Sequence, residues 1–124
     1  MSGFNAPQPH PCRLYGIRHC DTMKKALVWL DNAGIAHEFV DYKQAGIVAD
    51  RLPHWCRQAG WEGLINRRGL TWRRLDAAAR EALDEPRACA LMMQHPTLIR
   101  RPILECGERV LVGFDVDRYR EVLA

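Results

Sequence analysis

The segment from Cys12 to Gly34 constrains the fold more than any other part of the sequence. A short apolar run at 13–17 predicts a strand, and polar residues at 18 and 19 predict a turn after it. Apolar residues then recur at helical spacing and predict one face of an amphipathic helix: Met23, Ala26, Leu27, Leu30 and Ala33. Cys20 lies in the turn, and Gly34 is suited to ending the helix. The segment therefore predicts a strand, a cysteine and a helix in direct succession.

Cys20 has the sequence context of a reactive thiol. Free backbone N–H groups and the positive end of the helix dipole favour an anion at a helix N-terminus. Arg18, Lys24 and Lys25 add positive charge nearby, and Thr22 can cap the helix or donate its hydroxyl to the sulfur. Because these groups favour the thiolate over the thiol, we expect a lowered pKa and a nucleophilic sulfur. The alternative is that Cys20 is a buried structural cysteine.

The composition is that of an ordinary globular domain. The 124 residues are enough for one hydrophobic core, and 48% of them are hydrophobic. The net charge of +3 is mild, and no basic run is longer than a pair of residues, so direct nucleic-acid binding is not indicated. No apolar stretch has the length of a membrane span, and no secretory signal is visible. We expect a disordered lead-in at 1–11 and a single cytoplasmic domain at 12–124.

The five cysteines are widely spaced: Cys12, Cys20, Cys56, Cys89 and Cys106. Their number is odd and no C-x-x-C pair occurs, so the sequence predicts no metal site. Cys56 and Cys89 fall on apolar helix faces and are interpreted as small core residues. Cys12 and Cys106 lie at strand ends. Reduced thiols in a cytosolic protein are the expectation.

The remaining segments add strands and helices around this unit. Residues 35–42 predict a second strand, parallel to the first. Residues 47–96 carry helical signals throughout, and Pro53 predicts that the first of these helices begins near Asp50, because proline is tolerated in a first turn. Apolar runs at 103–106 and 109–112 around Gly107 predict a hairpin with a type II′ turn. Asp115 can cap a last helix at 116–123.

The order β-α-β, helices, then β-β-α predicts an α/β fold of the thioredoxin type. Its mixed four-stranded sheet would combine a parallel pair with an antiparallel hairpin. The core would consist of residues 12–46 and 97–124, with a helical insertion at 47–96. The nucleophile of that fold follows the first strand, which is the position of Cys20.

Several motifs occur in order along the chain. They are LYGIRHCDTMKKA at 14–26, GWE at 60–62, NRRG and TWR within 66–73, RP at 101–102 and GF at 113–114. Together they resemble the ArsC/Spx superfamily, especially its YffB-type branch, over nearly the whole chain from Arg13. The resemblance implies a thioredoxin-like fold with an inserted helical subdomain.

The resemblance also implies roles for individual residues. Cys20 matches the nucleophilic cysteine, and Arg68 and Arg101 match two arginines that surround an oxyanion in arsenate-reducing relatives. Pro102 matches a cis-proline beside the cysteine. Guanidinium groups suit oxyanions and carboxylates, and a cis X-Pro bond would present a backbone edge to a peptide-like thiol. A solvated position on the surface is the alternative for Arg68, Arg101 and Lys24.

Departures from the family patterns bear on the reaction. Glutaredoxin-coupled arsenate reductases carry histidine and arginine at the positions of Gly16 and Lys24, and the position of their third oxyanion arginine is Gly113 here. Spx regulators carry a second cysteine at the position of Met23. A lone Cys20 requires an external thiol, and glutathione is the abundant cytosolic candidate.

The expected function is that of a glutathione-dependent thiol reductase. Glutathione would be the co-substrate, and the other substrate would be a small oxidised molecule or disulfide. We expect no tightly bound cofactor, no metal and no membrane partner. Glutaredoxin is a further candidate partner. The alternatives are a Spx-like regulatory protein that binds RNA polymerase, and an arsenate reductase proper, coupled to glutaredoxin.

Overall fold

The computed structural model describes residues 12–44 and 46–123, and the lead-in predicted at 1–11 lies outside them. The elements follow in the order β1 (Cys12–Gly16), α1 (Asp21–Asn32), β2 (His37–Asp41), α2 (Ile47–Ala59), α3 (Trp61–Leu64), α4 (Leu70–Arg73), α5 (Ala77–Glu81), α6 (Glu85–Gln94), a 3-10 turn (Pro96–Leu98), β3 (Ile103–Cys106), β4 (Arg109–Val112) and α7 (Val116–Leu123). Within these ranges, no helix combines the length and the apolar character needed to cross a membrane.

The strands form one mixed sheet in the order β2-β1-β3-β4. β1 pairs with β2 in parallel, so that Leu14 faces Phe39. β1 pairs with β3 in the antiparallel sense, and β3 and β4 form the hairpin. The predicted thioredoxin-like α/β fold is therefore confirmed, with the central strand β1 leading directly to Cys20.

Both faces of the sheet are covered because neighbouring residues of a strand point to opposite sides. Leu14 belongs to a buried cluster with Met23, Leu30 and Tyr119, which come from α1 and α7. Tyr15, the next residue, belongs to the cluster that the helices between β2 and β3 build on the other face. Alternation along β1 thus divides the core into two layers.

A buried carboxylate joins α2 to the centre of the sheet. Glu105 of β3 is only 7% exposed. Its oxygens accept hydrogen bonds from the Tyr15 hydroxyl at 3.1 Å, from Arg51 Nε at 2.9 Å and from Trp55 Nε1 at 2.6 Å. A buried charge is tolerated when a cation and further donors satisfy it, and these donors come from both β1 and α2.

The hairpin turn and the last helix follow their local signals. Gly107, the first central residue of the turn, has a φ of 62°, and Glu108, the second, does not have a positive φ. This is the pattern of a type II′ turn. The Asp115 carboxylate accepts hydrogen bonds from the N–H groups of Asp117 and Arg118 at the start of α7, as predicted for a capping residue.

The predicted start of α2 near Asp50 is wrong. The helix begins at Ile47 and contains Pro53 in its interior. Pro53 itself is exposed, whereas Val48 in the first turn is buried in the core. Burial of that turn outweighs the backbone hydrogen bond that proline removes.

The expectation of reduced thiols is wrong for Cys12 and Cys106, which form a disulfide. Arg13 faces Glu105 across the β1–β3 pair, so the two cysteines are the next residues outward on neighbouring strands. Their Cα atoms lie 4.4 Å apart, a separation typical of the close cross-strand pairs and of disulfides. The sequence could not reveal this pairing because it depends on the register of strands distant in the chain.

Candidate active site

Cys20 is the N-cap residue of α1. Its backbone is extended, with φ −97° and ψ 130°, and its carbonyl accepts the first helical hydrogen bond from the Lys24 N–H at 3.1 Å. Cys20 therefore occupies the position at which serine, threonine or aspartate caps other helices, although its side chain makes no capping hydrogen bond. Thr22, predicted as a capping residue, lies two positions further, inside the first turn.

The pKa of the Cys20 thiol lies below its ordinary value. Partial burial alone would raise this pKa, but backbone hydrogen bonds from Met23 and Thr22 and the guanidinium of Arg101 lower it and prevail. Thr22 thus acts through its backbone N–H. The lysines named from the sequence are not among the causes, since Lys24 and Lys25 are exposed.

Arg101 lies next to Cys20 because of the strand register. Tyr15, near the end of β1, pairs with Ile103, near the start of β3, so the residues before β3 lie beside the turn that carries Cys20. The Arg101–Pro102 peptide bond is cis, as the resemblance implied. The Arg101 guanidinium lies close enough to the Cys20 sulfur to lower the pKa of the thiol.

Tyr42 holds the other side of Arg101. Its hydroxyl donates to the carbonyl of Ile99 at 3.2 Å and accepts from Arg101 Nη1 at 3.3 Å, and the side chain is fully buried. Tyr42 was not among the residues predicted for the site. The signal was available, because Tyr42 directly follows β2, and the carboxyl ends of parallel strands meet at one edge of a sheet.

Arg68 lies in the loop between α3 and α4. It is exposed, and its backbone N–H donates to the Asn66 side chain at 3.0 Å. Within residues 12–44 and 46–123 its side chain makes no hydrogen bond or ion pair. Arg68 instead lines a basic cavity of about 390 Å³ with Arg67 and Arg100. Arg100 was also missed, and nothing in its sequence context distinguishes it from the neighbouring Arg101.

Lys24 is exposed and lies on a surface groove. Together with Lys25, Val28 and Trp29 it lines a surface groove that Phe114 and Val116 complete. Across the described ranges, no three His, Cys, Asp or Glu side chains come together as a metal site. The groups gathered at Cys20 are a thiol, two backbone N–H groups, a guanidinium and a phenol.

A thioredoxin-like fold with a low-pKa cysteine at the start of its first helix defines the class of this protein. The ArsC family model matches residues 15–122. The chain belongs to the ArsC family, and its fold is that of the arsenate reductase-like proteins.

Relatives in sequence and structure span the same region. A solved structure named YffB is 50% identical, with a TM-score of 0.84 over 91% of this chain and 99% of that chain. An arsenate reductase-related protein from Brucella melitensis is 38% identical, with a TM-score of 0.75 over 94% of this chain and 98% of that chain. An uncharacterised protein of Haemophilus influenzae is 40% identical over 90% of this chain and 97% of its own length. The global transcriptional regulator Spx of Streptococcus pyogenes is 29% identical over 85% of this chain and 79% of its own length.

Proposed function

We propose that this protein is a glutathione-dependent thiol oxidoreductase that uses Cys20 as its single nucleophile. The observation that carries the proposal is the environment of the sulfur, where two backbone N–H groups and Arg101 lower the pKa of Cys20. A thiolate available at neutral pH is the form that attacks an electrophilic sulfur.

The proposed reaction is two successive thiol–disulfide exchanges. The Cys20 thiolate attacks one sulfur of a disulfide substrate, a new S–S bond forms, and the other substrate sulfur leaves as a thiolate. A glutathione thiolate then attacks the substrate sulfur of the mixed disulfide, and Cys20 leaves as a thiolate. The low pKa of Cys20 favours this second step, because a more acidic thiol is a better leaving group.

The positions of the other cysteines favour an external thiol as the resolving partner. Cys12 is bonded to Cys106 and lies at the far end of β1, about 13 Å from Gly16 at a normal strand rise. Cys56 and Cys89 contact each other, on α2 and α6. The position three residues after Cys20 is held by Met23, which is fully buried.

Glutathione carries two carboxylates, and arginines are the residues that bind them best. Arg101 beside Cys20 suits one of them. The cavity lined by Arg67, Arg68 and Arg100 offers positive charge for the other. In this proposal Arg68 binds co-substrate rather than an oxyanion at the sulfur.

Packing at Gly16 argues against arsenate reduction as the main activity. A Cβ atom at Gly16 would collide with Sδ of Met23, so the histidine typical of arsenate reductases at this position would displace a fully buried side chain. Gly113 has a φ of 78°, and a Cβ there would lie 3.2 Å from Arg100 Nη2. The third oxyanion arginine would therefore require both a strained backbone and a shift of Arg100.

A Spx-like binding function is the second candidate. The groove between α1 and α7 leaves Val28 57% exposed and carries Lys24 and Lys25 at its edge. Apolar surface bordered by charge is typical of protein contacts. Capture of RNA polymerase that is unaffected by Cys20→Ser but lost in Val28→Glu would favour this candidate.

The test of the main proposal is glutathione-dependent reduction of a small disulfide, followed as NADPH consumption through glutathione reductase. We expect turnover by the unchanged protein, none above background for Cys20→Ser, and full turnover for Cys89→Ser as the matched control. Absence of turnover with every disulfide tested would contradict the proposal, provided that Cys20 in the same preparation still reacts with an alkylating reagent. The same preparation assayed with arsenate tests the arsenate reductase alternative.

A further inference from the structure

Cys56 and Cys89 form a pair of free thiols that the proposed reaction does not use. Cys56 lies on α2 and Cys89 on α6, and their sulfur atoms are 3.4 Å apart. Both side chains are partly buried and neither belongs to a disulfide. Their sequence positions predicted two small core residues, and the packing of α2 on α6 brings them into direct contact.

The two sulfurs are accessible to a small molecule. They line a cavity of about 330 Å³ between the two helices, with apolar walls that include Leu52 and Pro53 and with Met93 beside them. The charged residues lining it are Arg57 and Glu85. A small, largely apolar cavity that ends on two adjacent thiols is a candidate ligand site.

The electrostatics of the pair disfavour a charged ligand complex. Burial raises the pKa of Cys56 to about 12, and its hydrogen bond to Cys89 and the charge of Glu85 act in the same direction. Cys56 is therefore a neutral thiol at physiological pH. Cations that bind thiolates must first remove this proton in an environment that opposes the negative charge. A neutral reagent that reacts with thiols directly avoids this cost.

The distance between the two sulfurs determines the bond angle at any atom that bridges them. An atom bonded to both sulfurs at about 2.3 Å, the length of a zinc–thiolate bond, would have an S–X–S angle of roughly 95° at a separation of 3.4 Å. This angle is narrower than a tetrahedral one and far from linear. It fits a pyramidal, trivalent centre with a lone pair.

We propose that Cys56 and Cys89 form a second thiol site, separate from Cys20, that binds a neutral trivalent thiophile of the arsenical class. Each S–H group condenses with one As–OH group, so that an S–As bond forms, the S–H and As–O bonds break, and one water molecule leaves. Arsenic stays trivalent, no electrons are transferred and no charge is buried. The site goes beyond the proposed reductase activity, because Cys20 takes no part in it.

The experiment uses phenylarsine oxide as the probe on the whole protein, purified without reductant so that the disulfide between Cys12 and Cys106 stays closed. Binding is measured by native mass spectrometry, and alkylation of each cysteine is mapped by peptide mass. We expect one adduct per chain, protection of Cys56 and Cys89, and continued alkylation of Cys20.

Variants then assign the adduct to the pair. Cys56→Ser and Cys89→Ser should each weaken binding by roughly a hundredfold, because the second thiol acts at high effective concentration. Cys20→Ser should leave the dissociation constant unchanged. No adduct on the unchanged protein, or an adduct that maps to Cys20 or to Cys12 and Cys106, would overturn the proposal. The protection map needs no variant, so the result does not depend on how the serine forms fold.

Discussion

At the residue scale, the reactivity of Cys20 arises from a few short-range contacts. The N–H groups of Met23 and Thr22 and the guanidinium of Arg101 stabilise the thiolate. Tyr42 in turn fixes the guanidinium through its hydroxyl. Lys24 is near Cys20 in sequence, but it is exposed and lines a separate groove, and it is not among the groups that lower the pKa of Cys20.

Replacing Arg101 by alanine should therefore impair the thiolate, whereas replacing Lys24 should not. A cation that stabilises a partly buried thiolate is comparable to a hydrogen bond to a charged group, about 1.5–3 kcal/mol. We therefore expect kcat/KM for glutathione-dependent disulfide reduction to fall by at least about tenfold in Arg101→Ala. Lys24→Ala is the matched control and should stay within about twofold. Equal losses in both variants would contradict the role assigned to Arg101.

Two buried tyrosines offer a paired test of the hydroxyl that holds Arg101. The Tyr42 hydroxyl bonds to Arg101 and Ile99, whereas the Tyr119 hydroxyl is buried without a hydrogen-bond partner among the described residues. Tyr42→Phe should lower the free energy of unfolding by about 1 kcal/mol and reduce turnover, and Tyr119→Phe should leave stability unchanged or raise it by about 1 kcal/mol. Urea titration measures both, and the opposite ranking would refute this assignment.

Cys20 and the helix that follows it could be predicted from a single segment of sequence. Arg101 and Pro102, far along the chain, were predicted only from the resemblance to the family. Tyr42 directly follows β2, and its hydroxyl reaches the site through the hydrogen bond from Arg101. The distance between Arg68 and Cys20 depends on how the loop at 66–69 folds against the helices, which neither periodicity nor turn chemistry determines.

At the scale of elements, the helices inserted between β2 and β3 are attached to the sheet through Glu105. This carboxylate accepts hydrogen bonds from Arg51 and Trp55 of α2 and from Tyr15 of β1. Apolar packing covers the rest of the same interface. The position of α2, and with it the cavity at Cys56, therefore depends on one buried charge with several donors.

Removal of the Glu105 carboxylate should be costly. Glu105→Ala leaves the buried donors of Tyr15 and Trp55 and the Arg51 cation without their acceptor, and we expect a loss of about 3–5 kcal/mol in the free energy of unfolding. Glu38→Ala is the control, because Glu38 pairs with Arg13 at 3.0 Å with both side chains about half exposed, and it should cost less than about 1 kcal/mol. Similar midpoints in urea for both variants would show that the buried network does not hold α2.

The boundaries of elements were less predictable than their type. The two hairpin strands match their predicted ranges, β1 is shifted by one residue, and β2 is shorter than the predicted 35–42. The helix α2 begins at Ile47 rather than near Asp50. A local rule for proline fails there because Val48 is buried. Tertiary burial can override a local penalty, and it is visible only after the helices are packed.

At the scale of the whole molecule, the disulfide between Cys12 and Cys106 joins the beginning of β1 to the end of β3. It spans 94 residues of sequence, including all the helices between β2 and β3. A cross-link over so long a segment restricts the unfolded chain most strongly. It lies at the end of β1 opposite to Cys20, so it can affect global stability without touching the site.

Opening this disulfide should lower stability while leaving Cys20 reactive. For Cys12→Ser combined with Cys106→Ser we expect a loss of about 2–4 kcal/mol in the free energy of unfolding. The alkylation rate of Cys20 in the folded protein should be unchanged. Coincident urea curves for the bonded and the double-serine forms, or a Cys20 rate that falls with the disulfide, would contradict this separation.

The central claim is that Cys20 alone is a stabilised thiolate, and the pH dependence of its alkylation tests this most directly. Each cysteine is followed by peptide mass after brief exposure to iodoacetamide between acidic and alkaline pH. Because the pKa of Cys20 is lowered and that of Cys56 is raised, Cys20 should reach its full rate at a lower pH than an ordinary thiol, while Cys56 stays unmodified into alkaline solution. The account would be contradicted if the alkylation rate of Cys20 rose over the same pH range as that of an unperturbed thiol, or if Cys20 were protected from alkylation in the native protein.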